Sequence, residues 1–338
     1  MRYIIVVMCM LAAQAGWAQE WEDRRVFNEG ARVALRIISS TDTVLFAPLI
    51  QTFVAQNPDI SIEYLVTGTA DIDRRFRDSP AAFDIAISSA MDLQLKLTND
   101  GFARPLENVA HLSWAEWRQS LFAFTSEPAA IVINRAAFDG FAVPQSRQEL
   151  IEALRARPDV FRNRVGTYDV RRSGLGYLFA TQDARASETF WRLMEVMGAL
   201  DVRLYCCSGE MIDDLTDGTI AVAYNVLGSY AQARVEALAE AQDALEIILP
   251  SDFPTTMMRT AFVSDATTQP DAAELFIQHL VARQSKAGSG PHALPLLNGP
   301  QNRAERATIA LEPALLTFLD TLKRNKFLEE WESALIQN

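Results

Sequence analysis

The chain has 338 residues, enough at about 150 per domain for roughly two domains, each with its own core. Apolar residues make up 49% and charged residues 22%, with only 15 Gly and 14 Pro, which excludes collagen-like, low-complexity and largely disordered classes. Lys and Arg number 31 against 43 Asp and Glu, and the net charge of −12 repels a nucleic-acid backbone, so no nucleic-acid partner is expected.

Residues 1–18 read as a cleavable signal peptide. Arg2 precedes an apolar run from Tyr3 to Ala13 that is too short to span a bilayer, and Gly16 with Ala18 supplies the small pair before a cleavage site after Ala18. Cys9 lies inside that run and would leave with it. Loss of Arg2 makes the mature chain one unit more acidic, and no later stretch is long enough for a membrane span, so a protein soluble outside the cytoplasm is expected.

From Arg32 to Ile38 the chain is β-branched and apolar and ends in Ser39-Ser40-Thr41, a strand delivering a polar loop to a helix entry. Leu45, Leu49, Ile50, Phe53 and Val54 follow at helical spacing, and Asn57-Pro58-Asp59 stops that helix. Ile60–Val66 is a second strand, 71–78 a charged helix, and Phe83–Ile87 a third strand opening into Ser88-Ser89. Alternation of this kind implies an α/β domain whose ligand loops gather at the carboxyl ends of parallel strands. Serines there are ordinary helix N-caps when taken singly; two such loops in one lobe, at positive helix ends, also suit an anion.

Ala129–Asn134 is another strand and 148–156 a helix. Val165–Asp169 then leads through Arg171-Arg172-Ser173-Gly174-Leu175-Gly176 into an apolar helix from Tyr177. Gly174 and Gly176 allow close backbone approach and Arg171 a charge-assisted contact, which makes this loop the strongest anion-site candidate; a structural turn with surface arginines is the plainer reading. Met211–Leu215 is a short helix, Asp217-Gly218 a turn, and Thr219–Tyr224 a strand that places Tyr224 and Asn225 at a strand end, in ligand position or in packing. Glu246–Leu249 and Thr260–Val263 are strands, 270–283 an amphipathic helix, and the last helices cover 315–322 and 326–335. The pattern predicts two lobes, residues 31–132 with 257–338 and residues 133–256, with chain crossings near 132 and 256. No fixed-period repeat is present.

Cys206 and Cys207 are adjacent, a spacing that offers no stabilising disulfide framework, and His111, His279 and His292 lack ligand spacing. No metal site and no cofactor are expected. An α/β serine hydrolase would display Gly-x-Ser-x-Gly, which does not occur, and the acids Asp84, Glu127, Asp169 and Glu210 are scattered, so no enzyme is expected.

These blocks, in this order, resemble the periplasmic solute-binding proteins of ABC transporters, in the class that includes iron(III), thiamine, polyamine and phosphorylated-solute receptors. The residues carrying the likeness are Ser39-Ser40-Thr41, Phe83–Ser89, Gly166–Asp169 with Ser173-Gly174, and Gly209–Met211 with Asp217–Asn225. The resemblance implies a type II, two-lobed α/β fold that closes by hinge motion around a solute and docks a membrane permease as a monomer. A phosphoglycerate-type regulator signalling to a sensor histidine kinase is the alternative. Iron-binding members carry neighbouring tyrosines where this chain has Tyr224-Asn225-Val226-Leu227. Loops rich in Ser, Thr, Gly and Arg favour a small carboxylated or phosphorylated solute held by Ser40, Thr41, Ser88, Ser89, Arg171, Ser173, Gly174, Tyr224 and Asn225.

Overall fold

The fold comes from a computed structural model, in which residues 21–237, 244–284, 294–297 and 308–336 are described. The proposed signal peptide and most of the stretch between 285 and 307 lie outside the described residues.

The chain opens with β1 (Asp23–Phe27), β2 (Val33–Ser39), α1 (Thr43–Gln56), β3 (Ile60–Val66), α2 (Thr69–Asp78), β4 (Ile85–Ser88), α3 (Met91–Asn99), β5 (Glu116–Trp117) and β6 (Leu121–Ala123). It crosses into β7 (Glu127–Asn134), α4 (Arg147–Ala156), α5 (Pro158–Phe161), β8 (Val165–Tyr168), α6 (Gly174–Ala186), α7 (Thr189–Ala199), β9 (Arg203–Tyr205), α8 (Ser208–Thr216), β10 (Val222–Leu227), α9 (Gly228–Ala237) and β11 (Leu245–Ile248). It returns through β12 (Thr256–Met257) to β13 (Thr260–Val263) and α10 (Pro270–Gln284), and ends in a 3-10 segment (Pro313–Leu319) and α11 (Thr321–Leu335).

Two mixed sheets result, one of seven strands in the order β1-β3-β2-β4-β13-β6-β5 and one built on β11-β7-β10-β8-β9 with β12 beside β7. Within them β2 runs parallel to β3 and β4, and β8 runs parallel to β9 and β10, as alternating strand and helix require. Alternate apolar residues of the first sheet meet α1 and α10, where Phe53 and Phe276 pack edge to face at 5.0 Å. The second sheet is covered by α4, α6 and α7.

The two crossing strands run side by side. The Phe124 amide donates to the Arg259 carbonyl at 2.9 Å, the Ala129 amide donates to Thr255 at 2.8 Å, and Met257 lies opposite Glu127. Passage between the sheets therefore falls at 124–127 and 257–260 rather than near 132, because β7 pairs with β12 at Glu127 and Pro128 and with β10 from Ala129 onward. The tail also differs from the expected division. Phe327, Trp331 and Leu335 of α11 insert into the core of the second sheet beside Phe190 and Leu193, so the chain passes between the lobes a third time before it ends.

Candidate functional site

Between the sheets lies a narrow cleft of about 50 Å3, room for one or two water molecules. The first sheet contributes Glu22, Ser40, Asp42, Thr67, Gly68, Thr69 and Ser89; the second contributes Tyr168, Ser173, Leu175, Cys206, Cys207, Ser208 and Leu227, with Tyr230 from α9. Wider depressions occur on the outer surface, such as one of about 700 Å3 between α7 and α11, both of which pack on the second sheet.

The lobes touch across the cleft. The Leu175 amide donates to Thr69 Oγ1 at 3.2 Å, and the Tyr230 hydroxyl lies 3.3 Å from Asp42 Oδ1. Gly174 sits so close to the first lobe that an added Cβ would meet Leu93 Cδ1 at 2.8 Å and Thr69 Oγ1 at 3.3 Å.

The lining follows from where helices begin. Asp42 precedes α1, Gly68 precedes α2, Ser173 caps α6 and Cys207 precedes α8, so the positive ends of four helices border the space. Among the described residues no Lys or Arg lines it, whereas Glu22 and Asp42 do. Burial pushes the Glu22 carboxyl up, and the charges of Asp42, Asp71 and Glu210 push it further against the pull of Arg75. Burial likewise raises Asp42, against the Tyr230 hydrogen bond and the charge of Arg259.

Four of the nine residues proposed from sequence line the cleft or touch across it. Ser40 and Ser89 face each other there, the Ser89 amide donating to Ser40 Oγ at 3.2 Å. Ser173 accepts from the Gly176 amide at 3.1 Å and caps α6, and Gly174 makes the cross-lobe approach.

The other five stand elsewhere. Thr41 is fully buried and accepts from Arg259 at 2.6 Å, and Ser88 is spent on the Ala90 amide at 3.1 Å. Arg171 points away from the cleft, bound to Asp169 at 2.8 Å and to Glu332 of α11 at 3.2 Å, so it supplies no charge to a solute there. Tyr224 and Asn225 lie in a β-bulge where the β10 register shifts, with Asn225 at φ 62°. That bulge turns both into the interior. The Tyr224 hydroxyl donates to Asp183 at 2.6 Å and accepts from Arg147 at 2.7 Å, and Asn225 donates to the same Asp183 at 2.9 Å.

A second buried network sits where the strands cross. Arg259 holds Glu127 with paired bonds of 2.9 and 3.0 Å, and Glu127 also accepts from Thr125 at 2.7 Å and Ser229 at 2.5 Å. Through Thr41 and Ser229 it ties the crossing strands to the helix entries that border the cleft. Neither network is legible in the sequence, since apart from Thr125 and Glu127 its bonded partners lie 36 to 218 positions apart and share no local motif.

No protein-family model and no curated protein sequence matches the chain. Among solved structures it is similar to the substrate-binding protein of the ABC transporter from Agrobacterium tumefaciens, at 29% identity and TM-score 0.82 over 93% of this chain and 98% of that one. This is the fold of the periplasmic substrate-binding proteins of ABC transporters. The same architecture is shared with AfuA from Actinobacillus pleuropneumoniae, with fructose-6-phosphate bound, at 14% identity and TM-score 0.69 over 91% of this chain and 100% of that one. A periplasmic thiamin binding protein matches at 17% identity and TM-score 0.67 over 90% of this chain and 96% of that one. All three neighbours are described as binding proteins. Among the described residues no helix is long and apolar enough to cross a membrane.

Proposed function

We propose that this chain is a periplasmic solute receptor of an ABC import system, which closes its two lobes on a small polar solute and presents the closed form to a membrane permease. The observation that carries this reading is the cleft itself, lined from both lobes and bridged by Leu175 and Thr69. A solute contacting both walls stabilises the closed population.

The charge pattern narrows the solute. Helix N-termini favour an anionic group, while Glu22 and Asp42, with no Arg or Lys in the lining, favour a cationic or hydrogen-donating one. A zwitterionic solute satisfies both. Its anionic half keeps the carboxylate or phosphate expected from the Ser, Thr and Gly loops and helix N-termini, while Arg171, bound to Asp169 and Glu332, offers it no charge.

The test is a thermal-shift screen of the mature protein over amino acids and betaines, sugar phosphates, carboxylates, thiamine, polyamines and ferric iron. A ligand at about 100 times its Kd stabilises by about 2.7 kcal/mol. A shift confined to zwitterions is the expected result, with Asp42→Asn and Glu22→Gln weakening it. Shifts from plain anions or metal ions alone would overturn the zwitterion assignment. No shift from any class, together with no change in scattering profile, would overturn the receptor reading.

A further inference from the structure

Cys206 and Cys207 form a disulfide between neighbouring residues at the junction of β9 and α8, and both line the cleft. Cys207 precedes the first residue of α8, and Glu210 stands three positions on, where its carboxylate can return to the helix start. Glu210 Oε2 lies 3.5 Å from Cys206 Sγ, and the ligand atoms of all three residues fall within 4.8 Å of one another. Both cysteines are partly exposed at the cleft wall.

We propose that Cys206–Cys207 is a reducible pair whose dithiol form, together with Glu210, holds a thiophilic divalent cation in the wall of the cleft. Two equivalents of a small thiol reduce the bond: the Cys206–Cys207 S–S bond breaks, each sulfur gains a proton, and the two thiols leave as their own disulfide. The sulfurs can then separate to the roughly 3.8 Å that two thiolates on one tetrahedral ion need, given metal–sulfur bonds of about 2.3 Å. The incoming cation displaces both thiol protons to solvent.

Two features suit that product. The N-terminus of α8, nine residues long, favours thiolate over thiol. The neighbouring Glu22 and Asp42 add negative potential on the same side. Two sulfurs and one carboxylate select a zinc- or cadmium-like ion over magnesium or calcium. The oxidised protein has no thiolate to offer, so the site exists only after reduction.

The mature protein, reduced with dithiothreitol and freed of reductant without air, is titrated with Cd2+ beside the oxidised protein and a Cys206→Ser/Cys207→Ser variant. One equivalent should bind the reduced form, with a thiolate-to-cadmium charge-transfer band and proton release, and neither control should show the band. Glu210→Gln should bind about tenfold more weakly or worse. The oxidised wild type is a control that needs no substitution, so a poorly folding variant leaves the comparison intact. Absence of the band in the reduced protein, one cadmium shared by two chains, or full affinity in Glu210→Gln would each overturn the proposal.

Discussion

Asp92 is a fully buried carboxyl in the first turn of α3 whose Oδ1 has no hydrogen-bond partner. Burial raises it from 3.8 to about 7, against the backbone amides that hydrogen-bond it. The folded state therefore binds this proton more tightly than the unfolded chain, and the stability it contributes is complete below pH 3.8 and lost as pH rises through about 7. Asp92→Asn should make the protein more stable above neutrality and flatten the difference between urea melts at acid and alkaline pH. An unchanged pH slope in the variant would show that another group carries it. Glu127 has the opposite sign. Burial pushes it up, but Arg259 outweighs burial and holds it below 4.5, so its contribution is present above that pH and lost on acidification. Arg259→Met would leave a buried unpaired carboxylate and should cost about 3–5 kcal/mol by denaturant titration. A loss under 1 kcal/mol would mean that water reaches the crossing strands. The Glu127–Arg259 pair was not legible in sequence, because the two residues are 132 positions apart and only folding makes them neighbours.

At the scale of elements the hydrophobic period performed well where strands are buried on both faces. Ile60–Val66 and Thr260–Val263 form with the bounds expected, since β-branched runs bounded by Asn-Pro-Asp or by polar residues have few alternatives. The helix expected from Tyr177 starts at Gly174 because the Ser173 hydroxyl takes up the Gly176 amide. Ser173→Ala should cost about 1 kcal/mol of stability as a lost cap. The strand expected over 219–224 is displaced to Val222–Leu227: Gly218 turns at φ 79° and the Ile220 amide bonds back to Asp214, so pairing begins later. α11 was legible as a helix but not as a strap. Its Trp331 is 1% exposed, and Gly198 lies against it so closely that a Cβ would meet the Ala334 carbonyl oxygen at 2.5 Å. Trp331→Ala should cost about 3–5 kcal/mol, read from the urea midpoint. A midpoint shift too small for such a core residue would mean that α11 is not anchored in the second lobe.

For the whole molecule the decisive property is how the lobes meet. Gly174→Val would place methyl groups against Leu93 and Thr69 while leaving both sheets intact, so it should disfavour closure without unfolding. Small-angle scattering should give a larger radius of gyration than wild type at nearly the same melting temperature, and an identical radius would show that these contacts do not gate the cleft. Closure also brings Glu210 of the second lobe near Glu22, whose carboxyl is held up by burial and by the charges of Asp42, Asp71 and Glu210. Strand–helix alternation, export-like N-terminal chemistry and Ser-rich loops at strand ends are properties of short stretches of chain. For that reason the α/β class and the two lobes could be read from residue order alone. Which serines face the cleft, where Arg171 spends its charge and how the β10 bulge turns Tyr224 inward depend on partners distant in sequence. Those were decided only by tertiary packing, because hydrogen bonds and ion pairs are chosen by which groups are buried together and not by spacing along the chain.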